Sequence, residues 1–215
     1  MKGLLLACLA WSTLSLSAQA HEIWIERDAG TGPVRVYFGE PAEDVANPAE
    51  DELGRVKHFE LFSAQGKAGA TTRQGDHLVA PLQGAGDAWL FDDKVFEPWQ
   101  GEDKRFESVS YYARAGRSST DGRLALELVP TRQNGDTFTV LFRDKPLADA
   151  EVAVIDPRRW QKTLKSDAKG QVVLPKLGPG RHIVMVSHKE PVQQTIAGKP
   201  VAVMHHISTL TFAAE

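Results

Sequence analysis

GDTFTVLFRDKPLADAEVAV, residues 135–154, and KSDAKGQVVLPKLGPGRHIVMVS, residues 165–187, decide the fold. Each apolar run is short, alternates, and ends at residues that favour turns. Thr137 to Phe142, Glu151 to Ile155, Gln171 to Leu174 and His182 to Ser187 read as strands. Asn134-Gly135-Asp136, Asp167-Ala168-Lys169-Gly170 and Gly178-Pro179-Gly180 read as the turns between them. A helix would need apolar positions three and four apart, and no such period runs through this chain.

Working outward, the same grammar extends to both ends. Ile23 to Glu26, Val34 to Phe38, Val56 to Phe62, Ala88 to Phe91, Val109 to Ala113, Leu124 to Val129 and Ser208 to Phe212 complete the expected strands. Many short strands at this spacing predict an all-β protein of two antiparallel β-sandwich modules, Ig-like or transthyretin-like. The expected division is a signal peptide at 1–20, an N-terminal β-rich domain at 21–124 and a C-terminal sandwich at 125–215. Two stretches read as irregular: the acidic Glu40 to Glu52, whose role the sequence leaves open, and Lys94 to Phe106, a crossing loop that packs its aromatics.

The first twenty residues carry Lys2, an apolar run from Leu4 to Leu16 and Ala18-Gln19-Ala20. That is the layout of a cleavable secretory signal, which predicts a periplasmic or secreted protein beginning at His21. Cys8 lies too close to Met1 for a lipoprotein signal, and it is the single cysteine of the 215 residues. Its removal leaves no disulfide and no thiolate site. The formal charge of −3 becomes −4 without Lys2, and no basic stripe stands out, which argues against nucleic acid as a partner. No later segment has the length of a membrane span.

The second half, with its Asp-x-x-Gly turn and Gly-Pro-Gly lead-in to a strand, is similar to transthyretin-like and carboxypeptidase-regulatory-like modules. HEIWIE (21–26), VRVYFGE (34–40), LELVPTRQNGDTFTVLFRDKPLADAEV (126–152), GPGRHIVMVSH (178–188) and STLTF (208–212) together resemble the DUF4198 family. Its members are often labelled nickel or cobalt uptake proteins of the NikM kind. The resemblance implies export, a β-sandwich architecture, a histidine at the mature N-terminus and a transition-metal ligand. One departure is Asp144, which precedes Lys145-Pro146 where members usually carry Gly; Asp also tolerates turn geometry.

Chemistry concentrates on His21. Cleavage after Ala20 would give it a free α-amine beside its imidazole, a pair that closes a chelate ring. Nitrogen-rich sets of this kind suit Cu(II) and Ni(II). The amine's reference pKa of about 7.7–8.0 permits ligation near neutral pH. His188, His205 and His206 are the expected partners, because they fall near strand ends. Alternation puts His206 with Met204, Leu210 and Phe212, and His205 on the opposite face. Glu22 and Glu26 can add an oxygen ligand or orient an imidazole. Met185 and Met204 offer thioethers to Cu(I), and Trp24 is expected to anchor the chain start. His58 and His77 read as exposed.

Signatures of catalysis are missing. His21-Glu22 opens like H-E-x-x-H, but Ile25 stands at the fifth position. There is no G-x-S-x-G, and Gly84-Ala85-Gly86 is too brief to cradle phosphate. The leading expectation is a non-enzymatic periplasmic protein that binds nickel, cobalt, copper or iron and passes it to a permease or TonB-dependent receptor. The alternative is a non-catalytic sandwich module that binds a protein or glycan. A third is a copper oxidase of the histidine-brace type, for which no broad aromatic face or axial tyrosine is evident.

Overall fold

A computed structural model describes residues 21–43 and 52–215. The expected signal peptide and residues 44–51 of the acidic stretch lie outside the described residues. The strands are β1 (Glu22–Glu26), β2 (Val34–Gly39), β3 (Glu60–Ser63), β4 (Gly66–Lys67), β5 (Thr72–Gln74), β6 (His77–Ala80), β7 (Ala88–Asp92), β8 (Trp99–Gln100) and β9 (Phe106–Ala115). They continue as β10 (Leu126–Pro130), β11 (Thr137–Phe142), β12 (Lys145–Pro146), β13 (Glu151–Ile155), β14 (Gln161–Lys165), β15 (Gln171–Val173), β16 (Gly180–Ile196) and β17 (Lys199–Ala214). The protein is all-β, with two short 3-10 turns among the described residues. No helix among the described residues is long and apolar enough to cross a membrane.

Three sheets form three layers. The middle one has nine strands in the order β14-β13-β16-β17-β9-β7-β3-β4, with β8 added against β9. One outer sheet is β1-β2-β6-β5; the other is β10-β11-β12, with β15 also on β11. The middle sheet runs across the expected boundary at 124/125, because β17 pairs with β9 in parallel from Val201↔Phe106 to Thr211↔Ala115.

Alternation along these strands fills a core on each side. From β9, Val109, Tyr111, Ala113 and Ala115 pack with Ile23, Val36, Phe38, Leu90 and Ile207 in the first core. Tyr112 joins Trp89, Phe138, Val184, Leu210 and Phe212 in the second. A strand covered on both faces loses the apolar–polar rhythm of a half-buried one. That is why β9 and β17 run past the spans expected from sequence, whereas the added length of β16, from His188 to Ile196, is an exposed to half-buried hairpin arm. The hairpin linking β16 to β17 turns on Ala197 and Gly198, at φ 46° and 77°, with Ile196 opposite Lys199. Two consecutive positive φ values define the I′ turn, whose twist matches that of a hairpin. Arg143 and Asp144, at φ 50° and 63°, form the same kind of turn before β12, so Asp144 does sit where glycine is easiest.

Arg114 ties the two halves together from within. It is fully buried on β9, and its guanidinium donates to Glu127 (2.8 Å) and Asp87 (2.6 Å). Asp87 also accepts from the backbone of Ser118 and Ser119. Glu127 accepts from Trp89 Nε1 and from the backbone of Arg123 and Leu124. The segment joining β9 to β10 is thus fixed by a satisfied internal ion network.

Candidate functional site: a histidine-lined cleft

β16 and β17 bring three of the sequence-selected histidines together in register. His188 lies opposite His206, and Lys189 opposite His205. On the other side of β17, His205 neighbours Val109 and His206 neighbours Ser110 of β9. Successive residues of a strand point to opposite faces, so adjacent histidines meet different surroundings.

His206 faces the second core and is 4% exposed. Its Nε2 lies 3.2 Å from Glu190 Oε2, and its Nδ1 3.0 Å from the Tyr112 hydroxyl. With Nε2–H donating to the carboxylate, the neutral ring accepts the tyrosine proton at Nδ1. Glu190 is held in turn by both guanidinium nitrogens of Arg143, at 2.6 and 2.7 Å. Phe142 presents an edge at 4.9 Å, and the His188 ring stands 6.5 Å away on the same side. Burial lowers the pKa of His206, and Glu190 only partly offsets this.

His205 faces the other way. Its Nε2 lies 2.5 Å from Glu107 Oε2, and the Trp99 ring tilts against it at 5.5 Å. A carboxylate that holds one imidazole nitrogen fixes the tautomer and leaves the second nitrogen's lone pair for a ligand. His21 lies on this same side, half-exposed, with its ring 5.5 Å from Phe38 and Nε2 4.0 Å from Glu52 Oε2. Phe38 packs edge-on against Tyr111 at 5.8 Å, and Tyr111 neighbours Ile207 in register.

Carboxylates gather at this end of the first core. Burial, reinforced by the charge of Glu40, pushes the Glu22 carboxyl up to about 8. Asp92 is 1% exposed and opposite Tyr111 in register; its Oδ1 accepts the Lys94 N–H, and its Oδ2 has no partner. Burial raises the Asp92 pKa. Burial also raises Tyr111, with Glu22, Glu52 and Asp92 adding to the effect. Sequence reading missed Glu107, Tyr111 and Tyr112, and it set aside Glu52, as the end of a solvated acidic stretch, and Asp92. Asp92 was set aside because Asp92-Asp93 is a carboxylate pair that a strand sends to opposite sides.

A cleft of about 1000 Å³ opens here, bordered by His21, Trp99, Glu107, Tyr111, Lys189 and His205. His188 and His206 also border it, but through their place in the sheet, since their rings pack on the far side around Phe142. On that far side is a smaller pocket of about 290 Å³ with Tyr112, Arg143, Glu190 and His206. The structure therefore brings His21 and His205 to one cleft and separates them from the rings of His188 and His206 by the thickness of a sheet. Among the described residues, no three His, Cys, Asp or Glu side chains are grouped to hold a metal ion.

The remaining candidates have structural partners. Glu26 is paired with Arg35 and Arg181. Trp24 is fully buried and stacks on Tyr37 at 5.1 Å. Met204 Sδ accepts from Ser110 Oγ at 3.7 Å, and Met185 packs beside Ile155 and Ile183. His182 is buried against Phe212. His58 is exposed. His77, expected to be exposed, is half-buried instead, between Tyr37 at 5.1 Å and Asp76 at 2.8 Å.

Fold and site together define an all-β protein with two cores on one shared sheet and a cleft lined by histidine and carboxylate. The model of a domain of unknown function, DUF4198, matches residues 18–190, and the chain belongs to that family. The match ends within β16, so His205 and His206 lie beyond it. No curated protein matches this chain.

Proposed function

We propose that this protein is a periplasmic or secreted carrier that binds a divalent transition-metal ion, one of nickel, cobalt, copper or iron, and delivers it to a transporter. On this reading it is a binding protein, not an enzyme, and its receiver is a membrane permease or TonB-dependent receptor. The observation that carries the reading is the shared cleft of His21 and His205. Signal cleavage after Ala20 supplies an amine and an imidazole at His21, and His205 adds a second imidazole already oriented by Glu107. Nitrogen donors favour the late divalent ions, with copper the tightest of the series. Glu52, 4.0 Å from His21 Nε2, would add an oxygen donor only as the side chains close on the ion. His188 and His206 support the sheet beneath the cleft and are not ligands in this proposal.

Calorimetric titration of Ni(II), Co(II), Cu(II) and Fe(II) into the chain beginning at His21 tests the reading. Adding one serine before His21 should weaken binding by at least about tenfold, the scale of one lost ligand. Equal binding by the two chains, or none by either, would remove the proposal.

A further inference from the structure

The cleft is far larger than a bare ion needs. A divalent ion with six waters occupies roughly 200 Å³, at about 30 Å³ per water. The cleft holds about 1000 Å³, within the range typical of small-molecule sites, roughly 300–1,000 Å³. Its mouth also carries a group with no use for an ion. Trp99 is 37% exposed, one of three large apolar side chains left so open among the described residues, and neither of the others borders this cleft.

Trp99 is held in place. β8 pairs with β9 through Trp99↔Glu107 and Gln100↔Phe106. Lys199 donates to the Pro98 carbonyl at 2.8 Å and pins the preceding residue. The Trp99 ring tilts against His205 on one side, and the part left open is a fixed aromatic face, a stacking platform. Across the strand from His205 stands Lys189, exposed, its ammonium without a hydrogen bond or ion pair among the described residues. Glu107, by contrast, is already engaged by His205. Asp103, also at the cleft, is held by Arg105. The groups left for a ligand are the Lys189 cation, the Trp99 face, imidazole nitrogen and the exposed carboxylate of Glu102.

We infer that the cargo is a metal chelate: an ion bound to a small carboxylate-bearing organic molecule whose skeleton lies on Trp99 and whose carboxylate meets Lys189. His205 or His21 then takes a coordination position that the chelator leaves open. This inference rests on the metal-binding reading above and adds the organic partner to it.

Native mass spectrometry of the chain beginning at His21 tests it, with Ni(II) alone, Ni(II) plus L-histidine, Ni(II) plus citrate, and each organic molecule without metal. Trp99→Ala and Lys189→Gln variants are run in parallel, with circular dichroism to confirm folding. A ternary protein–nickel–chelator mass is expected, with occupancy reduced about tenfold in either variant, while uptake of Ni(II) alone changes less than about twofold. Binding of nickel without any ternary mass would overturn the inference and leave the metal reading standing. Absence of nickel under every condition would overturn both. Retention of the organic molecule equally well without metal would make the cleft an organic-acid site and also overturn the inference.

Discussion

His205 and His206 are neighbours in the chain and live in different chemical worlds. His206 is sealed on the second-core side of the central sheet, with both ring nitrogens engaged by Tyr112 and Glu190. His205 borders the open cleft on the first-core side, and Glu107 takes one of its nitrogens. A satisfied, buried imidazole specifies packing. An oriented imidazole with a lone pair facing solvent is available for binding. One position along a strand separates the two roles.

The contrast can be stressed hardest at Arg114. Its loss leaves Asp87 and Glu127 as buried, uncompensated carboxylates, and breaking such a network costs about 3–5 kcal/mol. We predict that Arg114→Ala lowers the urea midpoint by that equivalent. A loss below about 1 kcal/mol would show that the network contributes little. The two histidines should then diverge. His206→Ala strands Glu190 and Tyr112 and should cost about 1–3 kcal/mol. His205→Ala, at a half-buried site, should cost less than about 1 kcal/mol. Comparable losses from chemical denaturation would erase the distinction.

Opposite pH slopes sharpen the same comparison. Glu22 has a folded pKa raised to about 8 from 4.5, so the native state binds its proton more tightly than the unfolded chain. Its contribution is fully present below the unfolded pKa and is lost as pH rises through 8. His206 is shifted downward, so stability is lost as pH falls below its ordinary value and the unfolded ring takes up a proton. We predict that Glu22→Gln flattens the fall in stability between about pH 4.5 and 8, whereas His206→Phe flattens the acid limb. Unchanged limbs in the two variants would contradict these assignments. The smallest effect belongs to the β16–β17 turn. Ala197 at φ 46° adopts a conformation that asparagine tolerates better, so Ala197→Asn should stabilise by about 0.5–1 kcal/mol in thermal melts.

Much of this was legible in the chain. The spans Thr137–Phe142 and Glu151–Ile155 were read as the strands they are, because each is bounded by turn residues and alternates cleanly. The opposite facing of His205 and His206 followed from strand period alone. The parallel pairing of β17 with β9 did not, since it joins segments nearly a hundred residues apart and leaves no local mark. Without it, Glu107 could not be placed beside His205, nor Tyr112 beside His206. The strand β14 was also missed, because QKTLK at the sheet edge is mostly exposed and lacks an apolar face. His188 was grouped with His21 for a related reason: a strand end locates a residue, but only the layers on either side decide which way its ring can go.

The most direct test compares metal titrations of three chains that begin at His21: the unaltered sequence, His205→Ala and His206→Phe. The account predicts that the first and third bind Cu(II) or Ni(II) alike, while the second loses about tenfold or more in affinity. Equal affinity in all three, or a loss confined to His206→Phe, would contradict it.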